Sequence, residues 1–268
     1  MRRQPVIQVD AFAERAFVGN PAAVCVLDAD TSDGLMQQIA MEMNLSETAF
    51  LRHRDDGDWD LRWFTPTVEV DLCGHATLAS AHVLWHEHGV SEPELAFATR
   101  SGTLRARQQG DAIELNFPAV RGQEEPPPAG LLQALGAPAR SVRRNRMDWL
   151  VELDSAEAVR ALTPDMHELA SLPARGVIVT AASDTPEFDF ISRFFGPGSG
   201  VPEDPVTGSA HCALAPFWAD RLGRTTLTGY QASARGGTVG VVLDGDRVRL
   251  LGKAVTVMRG ELLLGSRV

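Results

Sequence analysis

Glu47 stands in Asn44-Leu45-Ser46-Glu47-Thr48-Ala49-Phe50-Leu51, where a helical stretch gives way to an apolar strand. A carboxylate at the mouth of a buried strand is partly desolvated, which raises its pKa from about 4.3 and lets it take and return a proton. The plainer alternative is an exposed glutamate at a helix end. His75 directly follows Gly74, and Asp204 lies just upstream of Gly208. An imidazole there can donate to a substrate or shuttle a proton, and the aspartate can orient it or bind a substrate amine. A packed histidine and a helix cap are the structural alternatives. Gly74 and Gly208 each open a predicted helix, whose first N–H groups are unpaired and carry about half a positive charge. Facing one cleft, two such ends could hold a carboxylate and stabilise the charge that grows when a neighbouring C–H loses its proton. Each glycine could equally serve only to relieve crowding at a turn.

The elements that must position these groups follow from pattern and punctuation. Val6–Val9 and Ala23–Leu27 are β-rich runs on either side of the turn-prone Val18-Gly19-Asn20-Pro21. Thr31 and Ser32 can cap a helix whose apolar residues Leu35, Met36, Ile39, Ala40 and Met43 share a face. Strands are predicted at Thr48–Arg52, Asp60–Phe64 and Val68–Leu72, then a helix from Gly74 or His75 to about Gly89. Further strands are predicted at Leu95–Thr99, Thr103–Arg107 and Ile113–Phe117. The run Arg121-Gly122-Gln123-Glu124-Glu125-Pro126-Pro127-Pro128 should continue neither strand nor helix and is read as a linker.

Beyond it the pattern restarts. Arg62-Trp63-Phe64-Thr65-Pro66 matches Arg193-Phe194-Phe195-Gly196-Pro197 at an offset of 131, and Cys73-Gly74-His75-Ala76 matches Thr207-Gly208-Ser209-Ala210 at 134. Two matched elements in one order favour a duplicated chain, with halves at 1–118 and 128–257 and a last strand, 258–268, that crosses back to the first half.

Composition narrows the class. With 268 residues, 44% hydrophobic and 22% charged, the chain should be a soluble globular protein able to bury substantial cores. A net charge of −10 argues against a nucleic-acid partner; Arg143, Arg144 and Arg146 form the densest basic run. Cys25, Cys73 and Cys212 are odd in number and form no CxxC pair, which fits a reducing, cytoplasmic setting. No signal peptide or membrane span is expected. His82 and His86 have a metal-compatible spacing, but no carboxylate or cysteine completes a shell, so no metal is expected. No phosphate-binding loop is present.

The runs Asn44–Phe50, Gly74-His75-Ala76-Thr77 and Glu203-Asp204-Pro205-Val206-Thr207-Gly208-Ser209-Ala210-His211 resemble the three signature stretches of the PhzF family. Val18–Val24 and Arg235-Gly236-Gly237 are also similar to family patterns. The resemblance implies an α+β, diaminopimelate-epimerase-like fold: two pseudo-symmetric halves, each a mixed β-sheet wrapped round a central helix, with the active site in the cleft between them. It implies a homodimeric isomerase that needs no cofactor and moves a proton between carbons of a small carboxylate-bearing substrate. The best-known member isomerises trans-2,3-dihydro-3-hydroxyanthranilate. By the same resemblance Glu47 would transfer the proton, His75 and Asp204 would be polar partners, and Gly74, Gly208 and Ser209 would hold the substrate carboxylate. Related epimerases use two cysteines; Cys73 resembles one, but Thr207 stands opposite it, so Cys73 is read as a small buried residue. An amino-acid epimerase or racemase and a non-catalytic binding protein are the alternatives.

Overall fold

The computed structural model describes residues 2–265. Contacts divide the chain into two units, one running to Asn116 and resuming at Leu251, the other Phe117–Leu250. In chain order the first unit contains β1 (Arg2–Ala11), β2 (Asn20–Val26), α1 (Asp33–Met43), β3 (Glu47–His53), β4 (Trp59–Phe64), β5 (Glu69–Val70), α2 (Gly74–His86), β6 (Glu94–Thr99), β7 (Gly102–Gln109) and most of β8 (Ala112–Pro118). The second contains β9 (Gln123–Glu124), α3 (Leu131–Leu135), β10 (Ser141–Arg144), β11 (Asp148–Glu152), α4 (Ala156–Ala161), α5 (Met166–Ala170), β12 (Gly176–Ala182), β13 (Phe190–Phe195), α6 (Gly208–Leu222), β14 (Thr226–Gln231), β15 (Gly237–Asp244) and most of β16 (Arg247–Gly252). The chain ends with β17 (Ala254–Leu264), which pairs antiparallel with β1, Arg3 opposite Leu263 and Ala11 opposite Ala254.

Each unit is a mixed sheet, and the pairing senses recur. In the first, β1–β2 is antiparallel, β2–β3 parallel, β3–β4 antiparallel, β4–β6 parallel and β6–β7 antiparallel. In the second, β10–β11, β11–β12, β12–β13, β13–β14 and β14–β15 repeat that order. The matched Arg-aromatic-aromatic runs fall on β4 and β13, and their arginines do the same work. Arg62 forks onto Glu69 at 2.8 and 2.7 Å and lies 5.2 Å from the Phe64 ring. Arg193 forks onto Glu203 at 2.7 and 2.9 Å and lies 4.8 Å from the Phe195 ring. The second fork anchors the segment leading into Asp204.

Local chemistry explains most boundaries. Ser32 Oγ accepts from the Leu35 N–H, and the α1 face Leu35, Met36, Ile39 and Ala40 packs with Val6, Ala23, Cys25 and Phe50. The central helices α2 and α6 are buried nearly all round, His75–Trp85 in one and most of Gly208–Ala219 in the other, as a helix enclosed by a sheet must be. Their polar residues turn inward onto the helix itself: Thr77 donates to Cys73 O and Ser80 to Ala76 O.

Three expectations need correction. The strand Val68–Leu72 shrinks to Glu69–Val70, because Val68 and Leu72 are 55% and 44% exposed and have no core to face. Helix α2 stops at His86, and Gly89, with φ +67°, turns the chain three residues later. The proline-rich stretch does pair, Gln123 and Glu124 lying antiparallel to Arg144 and Arg143 before the prolines end the ladder. Among the described residues, no helix is long and apolar enough to cross a membrane.

Candidate active site

In the first unit, the starts of β2, β3 and α2 bring Asn20, Glu47, Cys73 and His75 together. Parallel pairing sets Ala22 opposite Glu47, so the two strand mouths open at the same end. Gly19, just before β2, lets the chain lie against the end of β1: its φ is +72°, and a Cβ there would sit 2.2 Å from Ala11 O. His75 Nε2 lies 3.2 Å from Glu47 Oε2, with side chains only 6% and 17% exposed. On the other side of the ring, Asn20 Nδ2 donates to His75 Nδ1 at 3.1 Å, and Cys73 Sγ lies 3.5 Å from the same nitrogen. Burial pushes His75 down to about 3, so at neutral pH the ring is uncharged. With Nδ1 accepting from Asn20, its one proton is on Nε2, facing the carboxylate. The approach is off the line of a finished hydrogen bond, leaving Nε2 geometrically unsatisfied. His75 is thus a neutral imidazole with Nε2 facing the carboxylate.

Glu47, Cys73 and His75 also present ligand-type atoms within 4.8 Å of one another. A zinc ion would need all three within about 2.0–2.3 Å. Nδ1, the nitrogen beside the thiol, already accepts from Asn20, so its lone pair is spent. The arrangement reads as a hydrogen-bond relay. Cys25 and Cys212, pushed up to about 12 by burial, are inert core thiols.

In the second unit, Asp204 and Ser209 flank the start of α6. Thr207 Oγ1 donates to Asp204 Oδ2 at 2.6 Å. The buried Gln231 locks the turn, accepting from the Thr207 N–H at 2.9 Å and donating to Asp204 O at 2.7 Å. Ser209 Oγ accepts from Arg175 Nη1 at 2.9 Å. Gly236 lies in the turn before β15: its φ is +68°, and a Cβ there would meet the Tyr230 hydroxyl at 2.0 Å.

The two central helices differ from α1, α4 and α5 in a telling way. Ser32, Ser155 and Asp165 each cap those helices with a side-chain oxygen, whereas Cys73 and Thr207 make no such bond and neither first turn holds an acid. Thr207 spends its hydroxyl on Asp204 instead. The N-cap residues Cys73 and Thr207 thus give no side-chain cap to the leading N–H groups of α2 and α6, a state suited to an external anion.

Within the first unit, then, the structure joins Glu47 and His75, and within the second it joins Asp204 to the turn before Gly208 and Ser209. Asn20, Arg175 and Gln231 carry no role in the sequence reading, whereas Cys73 is the small buried residue it expects. Asn20 lies in the Gly19-Asn20-Pro21 turn, and an amide beside that glycine is the signal the sequence offers. His82 is buried rather than half-exposed, its Nε2 lying 3.0 Å from Thr256 Oγ1, a contact that belongs to the packing of α2 on β17.

Burial holds three histidines neutral: His75 falls to about 3, and His82 and His211 to about 4. In the unfolded chain all three take up protons as pH falls through about 6.5, while the folded protein resists until about 4. Stability is therefore full above that range and lost as pH falls, by up to about 4 kcal/mol per pH unit if all three contribute fully. Urea midpoints should fall steeply between pH 7 and 5; a flat profile would contradict the burial of these rings.

The fold and site define a class: two units of like strand order, each wrapping a sheet round a buried helix with an uncapped first turn, one of them carrying a buried carboxylate–imidazole pair. The chain belongs to the family described as phenazine biosynthesis-like protein (PhzC-PhzF), whose pattern matches residues 9–260. It is 53% identical over 266 residues to an uncharacterized isomerase of Halalkalibacterium halodurans, covering 98% of this chain and 100% of that one. It is 40% identical over 283 residues to a human phenazine biosynthesis-like domain-containing protein, covering 96% and 98%. A crystal structure of a PhzF family protein from Enterococcus faecalis superposes with a TM-score of 0.94 at 43% identity, covering 98% of this chain and 100% of that one.

Proposed function

We propose that this protein is an isomerase that moves a proton between carbons of a small carboxylate-bearing substrate, with Glu47 taking and returning the proton. The observation that carries this reading is the buried pair in which neutral His75 presents Nε2–H 3.2 Å from Glu47 Oε2. A neutral imidazole beside Oε2 brings no positive charge that would weaken the carboxylate as a base. The uncapped first turn at Gly208, with Ser209, binds a substrate carboxylate and stabilises negative charge in the transition state, and the first turn at Gly74 is suited to the same task in its own unit. Asp204, held by Thr207, orients an amine or hydroxyl of the substrate bound at the Gly208 turn. Base, donor and anion holder are all side chains or backbone, so the reaction requires no cofactor.

The test is proton exchange in D2O, followed by NMR over a panel of small carboxylates that begins with trans-2,3-dihydro-3-hydroxyanthranilate, after dialysis against EDTA. Deuterium entering at carbon with a shifted double bond is expected, at a rate unchanged by the chelator. Activity lost to EDTA and restored by zinc would overturn the cofactor-free mechanism, and ligand binding without exchange would mark a binding protein. An epimerase is the second reading, favoured by Cys73 lying 3.5 Å from His75 as a potential second acid. Inversion at a stereocentre without double-bond movement would establish it. A homodimer is expected by light scattering, and a monomer at micromolar concentration would refute that part.

A further inference from the structure

Arg175, immediately before β12, ends in a fully specified arrangement. Its Nε and Nη2 fork onto Asp148 at 2.9 and 2.5 Å, and Asp148 is only 1% exposed. The guanidinium lies 5.2 Å from the Phe194 ring. Gly176 makes room for that ring, since a Cβ there would fall 2.4 Å from Phe194 Cζ. With two edges committed to the fork, Nη1 is left to donate to Ser209 Oγ at 2.9 Å. A serine hydroxyl has one proton to give and accepts through its lone pairs. Arg175 has no acceptor, so Ser209 can only accept on that side and must give its proton elsewhere.

We infer that Arg175 is a positioning residue, which holds Ser209 Oγ as an acceptor so that its O–H is offered to the substrate carboxylate at the start of α6. The inference rests on the carboxylate-binding role given to Ser209 above. A charge-assisted bond to Oγ also polarises the hydroxyl and makes it a stronger donor. Lysine is no substitute: it can keep the charge pair with Asp148, but it lacks the planar fork that spans Asp148 and Ser209 together.

The test uses benzoate as a carboxylate probe and benzamide as its uncharged counterpart, with affinities measured by NMR titration on the full-length protein. Ser209→Ala and Arg175→Lys should each weaken benzoate about tenfold while leaving benzamide unchanged, and the double variant should be no weaker than either single. A merely structural arginine would not move the benzoate-to-benzamide ratio. Should Arg175→Lys melt early, Arg175→Gln combined with Asp148→Asn removes the buried charge together with its partner, and the same ratio is read. If Ser209→Ala weakens benzoate and neither arginine variant does, the inference fails and the proposed function stands. If wild type does not bind benzoate, or Ser209→Ala binds it as wild type does, the carboxylate clamp itself is wrong and the inference falls with it.

Discussion

Replacing Glu47 with glutamine is expected to lower kcat by at least about 10³-fold with little change in KM. Glutamine keeps the shape and can still accept from His75 Nε2, 3.2 Å away in the wild type, but it cannot take a proton from carbon. General acid–base catalysis contributes about 10²–10⁴-fold, and a residue that performs both transfers lies toward the upper end. KM should hold because the substitution leaves the groups proposed to bind the substrate carboxylate untouched. Cys73→Ser is the paired control and should be mild, since the thiol lies beside His75 Nδ1 whereas Glu47 lies beside Nε2. The decisive measurement is turnover by both variants on the best carboxylate found in the exchange panel. If Glu47→Gln keeps most of its activity while Cys73→Ser loses it, the thiol is the base and Glu47 only orients it.

His75→Ala should cost roughly tenfold to a thousandfold in kcat, less than Glu47→Gln, because the imidazole directs the carboxylate without carrying the substrate proton. Asp204→Asn belongs in the same range. Because burial holds His75 at about 3, the wild-type pH–rate profile should show no histidine inflection between pH 5 and 8. Asn20→Leu gives an independent check. Without the Asn20 amide on Nδ1 at 3.1 Å, only the weakly bonding Cys73 thiol remains beside that nitrogen, and the fraction with its proton on Nε2 should fall, taking kcat with it. Full activity in both His75→Ala and Asn20→Leu would remove the relay from the mechanism.

What the sequence determined by itself was local or repeated. The cap at Ser32, the apolar face of α1 and the glycines that open α2 and α6 are decided by neighbours a few residues away. Those boundaries were therefore readable. So was the doubling of the chain, because matched runs at Arg62 and Arg193 impose the same strand and the same arginine fork in each unit. The candidate residues Glu47, His75, Asp204 and Ser209 could be named from motif and position. Their partners could not be. Asn20 reaches His75 across 55 positions and Arg175 reaches Ser209 across 34, contacts that exist only because nonlocal strand pairing sets separate element starts side by side. The same holds for the strand expected at Val68–Leu72 and shortened to Glu69–Val70: apolar letters mark what can be buried, and only the packed sheet decides whether there is a core to bury it. The neutral state of His75 is likewise a product of enclosure, since a pKa responds to the water a folded chain excludes and not to the residue's place in a list.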